Sequence, residues 1–391
     1  MAEILWIRPA SRALVRRDTA IADFPMDHPM KLFQCQICAQ PLFFENTLCE
    51  KCGHRLGYEP NQQRLMALEA APESDGGLWM EAGTHAGPSR WRLCINANDG
   101  VCNWMLPEGA SESFCLSCRH NRVIPNLANP LNQERWRLLE SAKHRLIYTL
   151  LALRLPLTKR PEDPEGLAFD LLEQAGPDGP PVMTGHDSGL ITINLLEADD
   201  QEREKRRTEM GEAYRTLLGH MRHEVGHWYW EKVVRDGGRL DSFRAMFGDE
   251  RDDYAQALQR HYANGPSPDW QMRFVSPYAS SHPWEDFAET FAHYLHIVDT
   301  LETAHAFGLA VRPRIRDADD ISAEMNFDPH RSRDVMQLID AWLPLAFAVN
   351  SLNRSMGQPD LYPFILSSAA IEKLGFIHDL AHARDRMPAV A

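Results

Sequence analysis

The run Gly219-His220-Met221-Arg222-His223-Glu224-Val225-Gly226-His227 carries the densest set of reactive side chains in the sequence. Histidines four apart stand one above the other on a helix face, so the imidazoles of His223 and His227 can reach one zinc ion. Glu224 lies beside them, placed to take a proton from an attacking water. His220 shares the face of His227 one heptad back and reads as a supporting interior histidine.

A catalytic zinc needs a third protein ligand and an open fourth position. The segment Ser276-Pro-Tyr-Ala-Ser-Ser-His-Pro-Trp-Glu-Asp-Phe-Ala-Glu-Thr-Phe291 offers candidates. Pro283 opens a helix, and Glu285 and Glu289 fall four apart on one face of it. The bland alternative is that Glu285, Asp286 and Glu289 form a solvated helix face, and that His223 and His227 are core histidines. Tyr278 is open to two readings, a packed tyrosine bonded to a carbonyl or a donor to a developing oxyanion, with His282 in reserve for the second role.

A second kind of chemistry lies upstream, where all eight cysteines fall between Cys35 and Cys118. Cys35-x2-Cys38 with Cys49-x2-Cys52, running into Gly53, has the spacing of two knuckles that put four thiolates around a structural zinc. The second group, Cys94-x7-Cys102 and Cys115-x2-Cys118, has one tight pair and reads as a second four-thiolate zinc, with His54, His85 and His120 nearby as substitutes. Four thiolates leave no open position, so these sites fold a module and do no chemistry. Docking of a protein substrate or of the catalytic domain suits such ribbons better than nucleic acid, because the residues around them include Glu45, Glu50 and Glu59.

The elements that must position these groups follow from periodicity. The chain has 391 residues, 44% hydrophobic, with a formal net charge of -14. That acidity disfavours a surface built to coat phosphate. No 18-residue apolar span or signal peptide is evident, and clustered cysteines suit a reducing compartment, so a soluble cytoplasmic protein is expected. Residues 1–30 read as a loosely ordered leader, 31–60 as the first ribbon, 61–128 as a linker and second zinc module, and 129–391 as the main domain. Trp136, Leu139, Ala142, Leu146 and Leu150 recur at helical spacing. Leu190–Asn194 reads as a strand that could offer its edge to an extended peptide. Asp199 and Glu202 resemble a capping box opening one long helix to about Val234. Further helices are expected around 251–262, 284–301, 332–350 and 367–378. Trp228, Tyr229 and Trp230 read as core or rim aromatics. Asn350, Asn353 and Arg354 read as a helix cap or, alternatively, a grip on a substrate carboxylate. The fold class is α+β, mainly helical with a small sheet.

HExxH followed by a downstream helix bearing Glu-x-x-x-acid resembles the gluzincin peptidases. That resemblance implies Glu285 as the third ligand and Glu289 as the acid that orients a ligand histidine, although the family's usual aspartate is here a glutamate. Tyr278-Ala-Ser-Ser, seven residues ahead of Glu285, resembles the catalytic domain of the toxin lethal factor, which implies a tyrosine facing zinc. The whole layout from about Leu32 to His378 resembles a bacterial family of zinc-binding metallopeptidases with an N-terminal zinc ribbon. It implies one catalytic and one or two structural zinc ions, a peptide or protein substrate, and amide hydrolysis with Glu224 as base. The rival reading is a non-catalytic, zinc-stabilised protein-binding or nucleic-acid-binding ribbon protein. Glu224 argues against it, since a structural zinc has no use for a base.

Overall fold

The computed structural model describes residues 32–383 apart from 73–76, 85–88, 175–178, 180, 210–215 and 317. The leader at 1–30 and His85 lie outside them. Short strands β1 (Phe33–Gln34) and β2 (Pro41–Leu42) pair antiparallel on either side of the first cysteine knuckle. Strands β3 (Arg55–Glu59), β4 (Arg64–Ala70), β5 (Trp79–Glu81), β6 (Trp91–Leu93) and β7 (Met105–Pro107) form one antiparallel sheet in sequence order. The stretch read as a linker after residue 61 is thus part of a sheet that joins both cysteine groups. Its strands bury residues on both faces, among them Leu56, Tyr58, Leu65 and Met66, which a solvated linker would not do.

Strand β8 (Asn121–Val123) leads into helix α1 (Pro130–Ala152). Asn129 caps α1 by accepting from Leu131 N, and Pro130 occupies the first turn, where its missing N–H costs nothing. Trp136, Leu139, Leu146 and Leu150 are all buried, as their spacing requires. Strands β9 (Ala168–Leu172), β10 (Gly185–Asp187) and β11 (Leu190–Asn194) follow and assemble with β8 in the order β10-β11-β9-β8. The segment Leu190–Asn194 is therefore a strand, but an interior one, with both edges paired. The two edges of the sheet are β10 and β8, and β10 lies against the histidine helix.

The expected single helix from Asp199 to Val234 is divided. Helix α2 (Asp200–Glu209) is separate from α3 (Leu217–Tyr229), and a π-helical turn, Trp230–Arg235, follows. The carboxylate of Asp199 accepts from Arg135 on α1 at 3.0 and 2.7 Å, so it anchors α1 and does not cap. The cap that starts the histidine helix is Thr216, whose Oγ1 accepts from Gly219 N at 3.0 Å. Helices α4 (Leu240–Phe247), α5 (Tyr254–Asn264), α6 (Pro283–Ala306), α7 (Val335–Ser355) and α8 (Ser368–Ala381) complete the domain.

Helix α6 is the central strut. Phe287, Tyr294, Leu295 and Val298 are almost fully buried, each contributing roughly 1.5–3 kcal/mol of transfer free energy if fully removed from water. A buried polar tie fixes three helices to one another: Arg222 of α3 donates to Asp299 of α6, and Thr149 Oγ1 of α1 donates to the same carboxylate at 2.7 Å. Helix α7 is long and apolar enough by composition to cross a bilayer, although the sequence reading found no such span. Leu338, Ile339, Trp342 and Leu345 are buried, however, and α7 packs on α6. Asn350 bonds both N–H and C=O of Tyr362 through its amide, and Arg354 pairs with Asp360. These residues brace the turn after α7 and do not cap it.

Candidate metal centres

The most extensive helix–helix contact among the described residues, α3 on α6, brings His223 and His227 together with Glu285. It depends on Gly226. A Cβ there would stand 3.0 Å from Ala288 Cα and 3.2 Å from Ala288 O, so only a residue without one lets the backbones approach this closely. Gly226→Val should force α6 outwards, cost about 1–3 kcal/mol as an overpacked core does, and leave the chain one zinc short by metal analysis while the cysteine centres stay loaded.

At that contact His223, His227 and Glu285 converge. Glu285 Oε2 is 3.0 Å from His223 Nε2 and 3.5 Å from His227 Nε2, and the two Nε2 atoms are 3.2 Å apart. These spacings match the ~3.3 Å edge of a tetrahedron with bonds of ~2.0 Å to nitrogen and oxygen. Glu285 Oε2 is buried without a hydrogen-bonding partner, and such an atom normally has one.

Each ligand atom is aimed by a neighbour. Glu289 Oε1 lies 2.7 Å from His223 Nδ1, so that nitrogen donates and Nε2 turns its lone pair to the centre. Ser276 Oγ steadies the other Glu289 oxygen at 2.6 Å. Tyr254, on α5, donates its hydroxyl to Glu285 Oε1 at 2.6 Å, which leaves Oε2 as the oxygen free to bind. Burial disfavours charge on the His223 ring, yet Glu285 and Glu289 outweigh it and push its pKa well above the ordinary value. A divalent cation at Nε2 meets the same demand for positive charge as a proton does. Burial likewise opposes ionisation of Glu285, but His227 and His223 hold its carboxyl well below the usual range.

Glu224, half-buried on α3, is near enough for its charge to act on the Tyr254 phenol. That pKa is raised first by burial and then by Glu285, with Glu224 adding to it. The Tyr278 ring is 6.0 Å from that of His223, on a short turn just before α6. His282 is committed elsewhere: its Nδ1 accepts from Trp284 N at 3.1 Å and caps α6, while Nε2 donates to Asp252 O. The reserve role for it as an oxyanion donor is withdrawn. His220 faces Glu197 at 3.4 Å. The acid run of α6 is no solvated face, since Glu285 and Asp286 are buried and Asp286 pairs with Lys373 of α8 at 2.5 Å. Trp228 and Tyr229 are core, with hydrogen bonds to Glu165 O and Pro156 O.

Two residues here escaped sequence reading. Tyr254 had no motif, only its place one residue after the Asp253 cap of α5. His186, on edge strand β10, stacks on His227 with ring centroids 6.0 Å apart, and its Nε2 accepts from Gly189 N at 2.9 Å.

The cysteines form two separate tetrads, each with its sulfurs mutually within 4.8 Å. Cys35–Cys52 and Cys38–Cys49 are 3.6 and 3.5 Å apart, and Cys102–Cys115 are 3.8 Å apart. These distances exceed any disulfide and match the ~3.8 Å edge of a tetrahedron with ~2.3 Å zinc–sulfur bonds. Gly53 turns the first knuckle at φ 74°, a conformation that suits glycine. His120 bonds Leu167 O and is no substitute ligand, while His54 Nδ1 touches Cys52 Sγ alone, at 3.2 Å.

Comparison with known proteins agrees with this inventory. The family described as "Putative zinc-binding metallo-peptidase" matches residues 132–380, and a zinc-ribbon domain family matches 32–129. The chain belongs to this zinc-binding metallopeptidase family. Uncharacterized proteins of Mycobacterium bovis and Mycobacterium tuberculosis are 42% identical over 353 residues, which cover 89% of this chain and 94% of theirs. No solved structure matches. Zinc is the metal of both families, and the cysteine tetrads are groups that could hold structural zinc.

Proposed function

We propose that the protein is a cytoplasmic HExxH peptidase of the gluzincin type, acting on peptides or proteins. The observation that carries the reading is the convergence of His223 Nε2, His227 Nε2 and Glu285 Oε2 to 3.0–3.5 Å, with Glu224 next to His223 on the same helix. A zinc ion on these three atoms supplies Lewis-acid polarisation of a scissile carbonyl and lowers the pKa of water towards ~7. Glu224 is the general base that takes the proton from the attacking water and passes it to the leaving amine. Tyr278, whose ring is 6.0 Å from that of His223, would donate to the oxyanion. Glu289 holds the His223 tautomer, and Tyr254 holds Glu285 to a single binding oxygen. An extended substrate would pair with β10, the sheet edge beside α3, and with none of the interior strands. The eight free thiols suit a reducing compartment.

The test is proteomic cleavage by purified protein against a Glu224→Gln control. Substrates cleaved by both equally would refute the reading. Mild chelation gives a separate expectation: two or three zinc ions per chain, with the one on histidine and glutamate leaving first, because three protein ligands hold less tightly than four thiolates. Tyr254→Phe removes one hydrogen bond to a ligand and should weaken binding of that first-released zinc by about 10- to 100-fold, measured by competition with a chromogenic chelator. Unchanged affinity would deny Tyr254 its positioning role.

A further inference from the structure

The second cysteine tetrad is built against helix α1 of the peptidase domain, and that helix brings a fifth donor to it. His144 places Nε2 3.5 Å from Cys102 Sγ and 3.6 Å from Cys118 Sγ. That is the ~3.5 Å edge of a tetrahedron mixing ~2.3 Å zinc–sulfur and ~2.0 Å zinc–nitrogen bonds. The imidazole is 4% exposed and stacks on Trp104, centroids 5.3 Å apart, so the ring is fixed in this position. Glu140, whose Oε2 lies 3.7 Å from Cys118 Sγ, is already engaged: Oε1 accepts from Trp136, Asn121 and Lys143, and Oε2 pairs with the Lys143 ammonium at 2.8 Å. Among the described residues the first tetrad has no such neighbour, since His54 reaches one sulfur only.

A small cavity opens beside this donor pair, lined by Phe44, Glu45, Val101, Asn103 and by Cys102 and His144 themselves. Cys102 belongs to the pair separated by seven residues, and it is the one sulfur of its tetrad on that cavity wall. We propose that Cys102 and His144 are interchangeable ligands of the second zinc, so that Cys94, Cys115 and Cys118 retain the ion with either one. Hydrogen peroxide entering the cavity would then oxidise the Cys102 thiolate to a sulfenate, the O–O bond breaking as the S–O bond forms and water leaving, while His144 keeps the metal bound and the ribbon joined to α1.

Elemental analysis of the full chain tests this. Cys102→Ala and His144→Ala should each keep the wild-type zinc count, and the double variant should lose one ion per chain. Cobalt-loaded Cys102→Ala should show its d–d bands shifted to shorter wavelength, as a nitrogen replaces a sulfur, whereas His144→Ala should not. A zinc deficit in either single variant, or a full count in the double, overturns the proposal. Should Cys102→Ala fail to fold, zinc release from His144→Ala under dilute hydrogen peroxide decides the matter: about 10-fold faster release than from wild type is expected, and equal rates overturn the proposal.

Discussion

Glu224→Gln should fold and bind zinc as the wild type does, and hydrolyse peptides about 10²- to 10⁴-fold more slowly. The three converging atoms belong to His223, His227 and Glu285, so the substitution leaves them untouched. Gln is nearly isosteric with Glu, and the half-buried position on α3 tolerates it without a cavity or an unpaired buried charge. What disappears is the only function the carboxylate has in the proposed mechanism, acceptance of a proton. A fall in kcat at unchanged zinc content, with an unchanged circular dichroism spectrum, would isolate the chemical step. Equal turnover by the two proteins would end the mechanism.

Glu285→Ala should empty the histidine centre at chelator concentrations that leave wild type loaded, whereas Glu289→Ala should stay loaded and react about 10- to 100-fold more slowly. The two acids stand one helical turn apart, but the structure separates what they touch. Glu285 presents Oε2 to both Nε2 atoms, so its loss removes one of three protein bonds to the metal. Glu289 touches His223 on the far nitrogen, Nδ1. Losing it frees the tautomer and the ring angle but leaves every ligand atom present. Zinc titration of both variants checks the order, and the reverse order would make Glu289 the ligand.

The sequence alone determined those features that repeat at short range. Helical spacing put His223 and His227 on one face, and paired CxxC spacing marked the first tetrad, because both depend only on the local geometry of one element. The apolar pattern of α1, the helix start at Pro283 and the mainly helical α+β class were legible for the same reason. Tertiary structure decided the rest. Asp199 looked like a cap, but Arg135, 64 residues earlier, claims its carboxylate. Leu190–Asn194 read correctly as a strand, yet only sheet order shows that it is interior and that the edge beside the histidine helix is β10. Tyr254 and His144 sit in no motif. Their roles arise because the fold brings Glu285, 31 residues away, and Cys102, 42 residues away, to within a hydrogen bond or a metal–ligand spacing. Pairings over such separations leave no periodic trace, since they are set by how elements distant in the chain pack together.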